Sequence, residues 1–335
     1  MKFKSLKRAF ASVVMMGAAL PSILVTGSAQ AEEILKAVSA FPKPLAFTQS
    51  FLGYVDLVNE RGKGIVQIQH IGGPEVFPSN QQVAAVERGI VDIHYGPAGY
   101  HLGSMPEADA WLGSTITAAE GRKNGGFALM EKAFQDRLGV KLMAHIDSGI
   151  KFHIYTLNEP QKKADGSVDL TGKRLRTSPV YKSFFEALDA IPVSAPVPDI
   201  YTGLERSVFD GAGWPIVAIQ DLSWDKFLKY RVDPGFLQTD LSIVMSPSKW
   251  ESLSPEAQKI LQDAAIEYEQ KSYDNFQAII AATDTKVQED GMTIVRLEGQ
   301  AANDYLDKAY EAVWSRMKAS NSPLYDELKK AYYQR

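Results

Sequence analysis

The sequence predicts an α/β protein with two lobes and a long helix in its C-terminal third. Its 335 residues are 45% apolar and 23% charged, which is a globular composition, and this length suggests two domains of about 150 residues each. Strand and helix patterns alternate after position 31. Near the C-terminus, residues 256–290 contain neither Pro nor Gly and repeat apolar side chains at helical spacing.

The N-terminal elements follow from this periodicity. They are, in order, a strand over 33–40, a helix over 47–61, a strand over 65–71, a helix over 81–88 and a strand over 90–95. This β-α-β-α-β order favours right-handed crossovers and a mostly parallel sheet. Ligands bind beyond the carboxyl ends of parallel strands, so we expect the loops after these three strands to border a site.

The remaining elements include a very long helix. Further strands are predicted over 140–146, 152–157, 174–177 and 242–245, and shorter helices over 181–190, 201–207 and 305–317. Ser254 is a candidate N-cap, and Pro255 suits the first position of a helix that runs to Asp290. A helix of this length is unusual in a globular domain, so we expect it to span both lobes. Because no flexible linker is apparent, the chain is expected to cross between the lobes through ordered segments.

The first 31 residues predict export. Four basic residues precede an apolar stretch over about 9–25, and Ala29-Gln30-Ala31 has the small-x-small pattern of a signal-peptidase site. Pro21 and the shortness of the run argue against a membrane anchor. We therefore expect cleavage after Ala31 and a protein free in the periplasm, with no direct membrane insertion. Removing the four basic groups changes the net charge from -4 to -8.

Composition and motifs exclude several classes of protein. An acidic chain lacks the basic excess of a nucleic-acid binder, and the absence of Cys excludes disulfides, thiolate metal sites and a cysteine nucleophile. The five His form no metal-binding pair, and no G-x-S-x-G, Walker or G-x-G-x-x-G motif is present. We expect no enzyme activity, no cofactor and no metal, and an exported α/β protein of this kind favours ligand binding.

Residues 169–215 carry a resemblance to a known family. Asp169-Leu170-Thr171-Gly172 leads to Arg176, Asp199-Ile200-Tyr201 follows a helix, and Val208-Phe209-Asp210-Gly211 closes the block. This pattern resembles the solute-binding proteins of TRAP (tripartite ATP-independent periplasmic) transporters, of the C4-dicarboxylate-binding type, and the likeness extends over essentially the whole mature chain. It implies a two-lobe periplasmic-binding-protein fold with a ligand cleft between the lobes.

The resemblance assigns the main site residue. It implies that Arg176 forms a bidentate salt bridge with an anionic group of the ligand, usually a carboxylate, and a guanidinium fork suits two oxygens. Arg174 lies on the same face of the strand, because the two alternate about Leu175, and spacing alone does not choose between them. The alternative for either is a surface Arg on an edge strand.

Two further positions depart from the family pattern. Lys151 stands where many members have Arg, so it supplies charge without a fork, and Trp214 stands where many have Asn. Some keto-acid binders hold a metal with a Glu before this Trp, but Gly213 has no carboxylate, so the metal is not carried over. The indole argues against a strongly polar sugar acid such as sialic acid. A solvated Lys and a core Trp are the alternatives.

Three residues are candidates for the opposite wall of the site. Phe41, Glu75 and Tyr95 lie in or beside the loops at the strand ends of the first lobe, with ordinary loop packing as the alternative. Lobe 1 is predicted over 32–148 plus about 237–275, and lobe 2 over 149–236 plus about 276–335.

The predicted function is capture of a small organic anion. We expect a carboxylate, a hydroxy or keto acid, which the protein delivers to the small and large membrane subunits of a TRAP permease. A small sulfonate or an aromatic acid is the alternative ligand, and a periplasmic sensor or adaptor that uses the same cleft is the alternative function. An exported enzyme would need an acid/base pair or a metal in the cleft.

Overall fold

The computed structural model describes residues 32–335, and the predicted signal peptide over 1–31 lies outside the described residues. The strands in this part are β1 (Glu33–Ser39), β2 (Val66–Gly72), β3 (Ile93–Pro97), β4 (Lys141–His145), β5 (Phe152–Thr156), β6 (Gln161–Lys162), β7 (Val168–Asp169), β8 (Arg174–Thr177), β9 (Ile191–Ser194), β10 (Gly211–Pro215), β11 (Tyr230–Phe236), β12 (Leu241–Met245) and β13 (Thr293–Arg296).

Helices cover these strands. The α-helices are α1 (Ala46–Arg61), α2 (Gln82–Glu87), α3 (Asp109–Leu112), α4 (Ala118–Lys123), α5 (Gly126–Leu138), α6 (Lys182–Ala187), α7 (Val197–Glu205), α8 (Pro247–Ser252), α9 (Pro255–Glu289), α10 (Gly299–Ala319) and α11 (Tyr325–Tyr332). Short 3-10 turns include Ala98–His101 and Pro179–Tyr181, which both border the cavity described below.

Two large sheets organise the fold. One has the strand order β2-β1-β3-β12-β4 and the other β13-β11-β5-β10-β8-β9, while β6 and β7 form a small separate pair. The α/β class that the sequence predicts is confirmed, and its β-α-β-α-β start produces the parallel set β2-β1-β3.

The sheets as wholes are mixed, which corrects the expectation of a mostly parallel sheet. Strand β12 lies between β3 and β4 and is antiparallel to both, and β5 lies between β11 and β10 and is antiparallel to both. Both strands enter directly from the other sheet, so no crossover helix returns the chain to the parallel direction.

Three segments carry the chain from one sheet to the other: residues 146–151, residues 237–240 and helix α9. The first two are bonded to each other, because the Thr239 amide donates to the Ile150 carbonyl at 2.9 Å and the Thr239 hydroxyl to the Asp147 carbonyl at 2.6 Å. The strands of each sheet fall within one predicted lobe. Residues 32–335 form one compact unit, and the lobe boundaries themselves stay a prediction.

Helix α9 is the long helix that the sequence predicts, with 35 residues. At 1.5 Å per residue it extends for about 52 Å. Near its middle, Glu267 pairs with Arg61 of α1 at 2.7 Å, and towards its C-terminus Asp284 pairs with Arg231 of β11 at 2.6 Å. It therefore contacts elements beside both sheets. Among residues 32–335 no helix is both long and apolar enough to cross a membrane.

Ser254 is expected to stabilise this helix through its cap. Its hydroxyl accepts a hydrogen bond from the Ala257 amide at 3.2 Å. Ser254→Ala should lower the free energy of unfolding by about 1 kcal/mol, because the amide loses its acceptor. Urea unfolding measures this change. Thr285→Ala, at an exposed position of the same helix, is the control and should cost nothing; an equal loss in both variants would contradict the assignment of the cap.

Candidate functional site

A cavity lies between the two sheets, next to the crossing segment 237–240. It contains about 460 Å³ of space free of protein atoms, part of it open to solvent. The lining is mostly aromatic and apolar with a few polar groups. It consists of Phe41, Phe47, Pro97, Tyr100, Phe152, Arg176, Ser178, Val180, Tyr181, Trp214, Pro215, Thr239, Asp240 and Leu241.

Arg176 projects into this cavity from strand β8. The strand lies between β10 and β9, with Arg176 opposite Ala212 and Val193, and this burial leaves the residue only 4% exposed. Nε and Nη2 both donate to the Ala195 carbonyl, at 3.1 and 3.0 Å. Nη1 donates to the Tyr181 hydroxyl at 2.9 Å and makes a longer contact of 3.4 Å with the Gly213 carbonyl.

These acceptors orient the guanidinium without neutralising it. All of them are neutral oxygens, and among residues 32–335 no carboxylate lies within ion-pair distance of Arg176. Of the five N–H groups of an Arg side chain, one on Nη2 has no acceptor here. Burying a charge without a counterion is costly by several kcal/mol. The site is therefore suited to receive an anion.

Arg174 has a different environment, although it alternates onto the same face of the strand. Its guanidinium pairs with Asp210, with contacts of 3.1 Å from Nε and 2.9 Å from Nη2, and it is largely exposed. The hydrogen bonds to this carboxylate raise the pKa of Arg174. Spacing alone did not distinguish the two residues. In the structure, Arg174 is paired with a carboxylate at the surface, whereas Arg176 lies in the cavity and has no carboxylate partner among residues 32–335.

Tyr181 connects Arg176 to the neighbouring strand. Its hydroxyl accepts from Nη1 of Arg176 and donates to the Gly213 carbonyl at 2.6 Å. Burial raises the pKa of Tyr181, so the hydroxyl stays protonated and keeps both bonds. Tyr181 therefore positions the guanidinium.

Trp214 forms one wall of the cavity. Its ring lies 5.6 Å from the Arg176 guanidinium carbon and packs edge-to-face against Trp224 with centroids 4.8 Å apart. The indole N–H is enclosed and has no hydrogen-bond partner among residues 32–335. An aromatic face beside a guanidinium adds a cation–π attraction that helps to fix its plane.

Asp240 provides a buried carboxyl group in the same cavity. It immediately precedes β12 and is 2% exposed. Its Oδ2 accepts from the Gly99 amide, and its carbonyl accepts from the Ala98 amide at 3.0 Å. Burial raises the pKa of Asp240 to about 7, an effect that Asp109 reinforces and Arg316 opposes.

The structure brings three of the six sequence-predicted site residues to the cavity: Arg176, Trp214 and Phe41. Phe41 is 6% exposed and packs against Phe47 with centroids 5.3 Å apart. Lys151 precedes β5 and is not in the lining, and burial lowers the pKa of its amine to about 8.

Tyr95 and Glu75 also lie outside the lining, for different reasons. Tyr95 is fully buried within β3, stacked on Phe51 with centroids 5.0 Å apart, and its hydroxyl donates to Asp147. Glu75 is exposed and accepts the Gly73 amide at 2.7 Å, a bond that lowers the pKa of its carboxyl group. The first sheet instead reaches the cavity through Pro97 and Leu241.

Sequence reasoning missed Asp240, Tyr100 and Tyr181. An Asp directly before an apolar strand was the available signal for Asp240, and the small-residue turn after Arg176 was the signal for Tyr181. Tyr100 follows the Gly-Pro turn that ends β3. None of these signals is specific, because the three residues line a common cavity only when the two sheets pack against each other.

Comparison with known proteins identifies the family to which this chain belongs. The model of the DctP family, described as bacterial extracellular solute-binding protein, family 7, matches residues 48–321. The 2,3-diketo-L-gulonate-binding periplasmic protein YiaO of Escherichia coli strain K12 is 25% identical over 263 residues, which cover 75% of this chain and 77% of the relative.

Solved structures share the fold. DctP7, a Bordetella pertussis extracytoplasmic solute receptor binding pyroglutamic acid, has a TM-score of 0.77 at 18% identity and covers 90% of this chain and 99% of its own. A TRAP periplasmic solute binding protein from Desulfovibrio salexigens with bound orotic acid has a TM-score of 0.77 at 20% identity, with 89% and 97% covered.

The burial of Asp240 predicts a pH dependence of stability. The folded state binds the proton of the Asp240 carboxyl group more tightly than the unfolded chain, in which this group titrates near 3.8. The contribution of Asp240 to the free energy of unfolding therefore falls as pH rises from about 4 to about 7 and stays constant above pH 7. Asp240→Asn should reduce the stability difference between pH 4.5 and pH 8 by about 1 kcal/mol or more. Urea unfolding at the two pH values checks this, and an unchanged difference would contradict it.

Gly99 is expected to tolerate no side chain. A Cβ there would lie 2.3 Å from Cγ1 of Val180 and 2.8 Å from Oδ2 of Asp240. Gly99→Ala should therefore destabilise the protein by about 1–3 kcal/mol. Gly103→Ala, where nothing lies within 4 Å of the new Cβ, is the matched control and should be neutral in thermal unfolding. Equal stability of both variants would show that the cavity wall is looser than described.

Proposed function

Because the chain belongs to the DctP family of bacterial extracellular solute-binding proteins, which serve TRAP transporters, we propose that it captures a small organic anion in the cavity around Arg176. The expected ligand is a carboxylate, a hydroxy or keto acid. The loaded protein then delivers it to the small and large membrane subunits of a TRAP permease, in the periplasm, after removal of residues 1–31.

The observation that carries this proposal is the unpaired charge of Arg176. A guanidinium that is 4% exposed, held by neutral oxygens and free of any carboxylate among residues 32–335, gains most from a ligand that brings its own negative charge. A carboxylate supplies two oxygens in one plane, and charge-assisted bonds of this kind are stronger than neutral ones. Low exposure of the cavity wall removes water from the pair.

The ligands of related proteins support a carboxylate. The relatives described above are named for 2,3-diketo-L-gulonate, pyroglutamic acid and orotic acid, and each of these compounds carries one. The lining of this chain supports a compact body. Phe41, Phe152 and Trp214 offer flat apolar surface, whereas few polar side chains are available for the many hydroxyls of a sugar acid.

Capture requires movement of the two sheets. The walls at Phe41, Arg176 and Trp214 are each at most 6% exposed, so a ligand bound between them is almost enclosed. We assign the hinge to segments 146–151 and 237–240, which pass between the sheets side by side. Opening about these segments admits the ligand, and its contacts with both sheets favour closure. The closed form is the one that docks on the permease.

Replacing Arg176 tests the proposal. Arg176→Ala should weaken binding by roughly 30- to 4,000-fold, which corresponds to about 2–5 kcal/mol for a truncated buried charge pair. Arg176→Lys should also lose affinity, because the planar fork is gone. A thermal-shift panel of hydroxy, keto, aromatic and sugar acids and sulfonates identifies the ligand, and calorimetry measures the variants. A ligand at 100 times its dissociation constant adds about 2.7 kcal/mol of stability.

Arg174→Ala is the matched control, since this residue lies two positions away on the same face of the strand but is paired with Asp210. It should bind within about threefold of the unmodified protein, well below one kcal/mol. Binding by Arg176→Ala within the same limit would refute the proposal, as would a panel that leaves the melting temperature of the unmodified protein unchanged.

A further inference from the structure

Asp240 and Arg176 face one cavity from two different sheets. Arg176 lies on β8 of the six-stranded sheet, whereas Asp240 stands at the start of β12 in the five-stranded sheet. Tyr100 lies close enough to both to be influenced by their charges, and burial raises its pKa to about 12. The cavity lining thus includes a cationic side chain from one sheet and an acidic side chain beside the other.

Hydrogen bonding leaves one oxygen of Asp240 available. Oδ2 accepts from the Gly99 amide, whereas no side chain among residues 32–335 donates a hydrogen bond to Oδ1, and Asp240 borders the cavity. No Lys, Arg or His in that part of the chain lies within ion-pair distance of this carboxyl group. The charges that act on it include the Asp109–Arg316 pair, whose members bond to each other at 2.5 and 2.9 Å.

The chemistry of this oxygen restricts the ligand. An ionised carboxylate only accepts hydrogen bonds, so a keto oxygen or a second carboxylate placed against it would leave two acceptors facing each other. A ligand hydroxyl or ammonium group would instead donate to Oδ1. A ligand that leaves a buried polar group of the site without a hydrogen-bond partner binds much more weakly than one that pairs with it. Such a group therefore discriminates between ligands more strongly than an apolar wall does.

We propose that Asp240 selects ligands that carry a hydrogen-bond donor in addition to the anionic group held by Arg176. The ligand class is therefore a hydroxy or amino acid rather than a keto acid or a dicarboxylate. This inference rests on the proposed function and narrows it, because capture by Arg176 alone accepts both hydroxy and keto acids. Gly99 contributes by fixing the carboxyl plane through its amide.

Matched acids test the selection. Sets with one carbon skeleton and a hydroxyl, ammonium or keto group at the second carbon are lactate, alanine and pyruvate; 2-hydroxyisovalerate, valine and 2-ketoisovalerate; and mandelate, phenylglycine and phenylglyoxylate. Each enantiomer is titrated by calorimetry at pH 8 with EDTA, where Asp240 is ionised and free divalent cations are removed. In the set that fits the cavity, the hydroxy or amino member should bind at least tenfold more tightly than the keto member. The two donor-bearing members show whether a hydroxyl or an ammonium group is preferred.

Two variants locate the selectivity. Asp240→Asn keeps the shape and an acceptor for Gly99 but can donate, so the ratio of hydroxy-acid to keto-acid affinity should fall to near one or reverse. Glu269→Gln is the matched control. This carboxyl group is also buried, and burial raises its pKa, but it is paired with Arg122 at 2.7 Å and lies outside the lining and outside both crossing segments, so the ratio should stay unchanged.

The outcomes separate this inference from the proposed function. A keto acid that binds the unmodified protein within threefold of its hydroxy and amino partners, and whose binding is lost in Arg176→Ala, would overturn the role of Asp240 and leave anion capture intact. The same ratio in the unmodified protein and Asp240→Asn would also overturn it. If no acid of any set or of the wider panel binds, both proposals fall together. The ratio of hydroxy-acid or amino-acid affinity to keto-acid affinity, measured in the unmodified protein, tests the inference even if Asp240→Asn does not fold.

Discussion

The proposed site is built around Arg176, a buried positive charge that has no counterion among residues 32–335. Strand β8 places Arg176 between β9 and β10, and among residues 32–335 its donors meet only the carbonyls of Ala195 and Gly213 and the hydroxyl of Tyr181. These groups fix the plane of the guanidinium but leave its charge uncompensated. An uncompensated buried charge lowers the stability of the empty protein, and binding of an anion would restore the lost stability. The aromatic lining and the low exposure of the walls strengthen this interaction because they exclude water.

The topology explains why a charge of this kind can also be reached. Strand β5 follows directly on a strand of the five-stranded sheet, and strand β12 follows directly on a strand of the six-stranded sheet. The crossing segments 146–151 and 237–240 that make these connections run next to the cavity. Thr239 joins these segments, and its neighbour Asp240 lines the site. In the binding mode that we propose, a ligand would contact Arg176 on one sheet and Asp240 beside the other, so recognition of the ligand would accompany closure of the sheets. Helix α9 also contacts elements beside both sheets.

Local periodicity predicted much of the fold. Strand β8 has the predicted bounds, and α9 begins at Pro255 after Ser254 and ends one residue before Asp290, because caps and apolar spacing are local signals. Strand β3 begins three residues later than predicted, since Ile90 is 55% exposed in the turn after α2. Strands β10 and β11 were not predicted: Gly211 and Gly213 in one and Pro234 and Gly235 in the other disfavour strands, and pairing with β5 overrides that preference.

The site was predictable only in part, for the same reason. The family resemblance led to Arg176 and Trp214, and strand-end position led to Phe41, all of which line the cavity. Tyr95 did not follow this rule because its side chain points into the sheet core and bonds to Asp147, and Asp240 was missed because its contact with Gly99 spans 141 residues.

A crystal structure with the tightest-binding acid of the panel would show whether Arg176 holds the ligand. We expect both oxygens of the ligand's anionic group to lie about 2.7–2.9 Å from nitrogens of the Arg176 guanidinium, with water excluded. A ligand bound elsewhere, or an Arg176 side chain that turns away from the ligand into solvent, would contradict it.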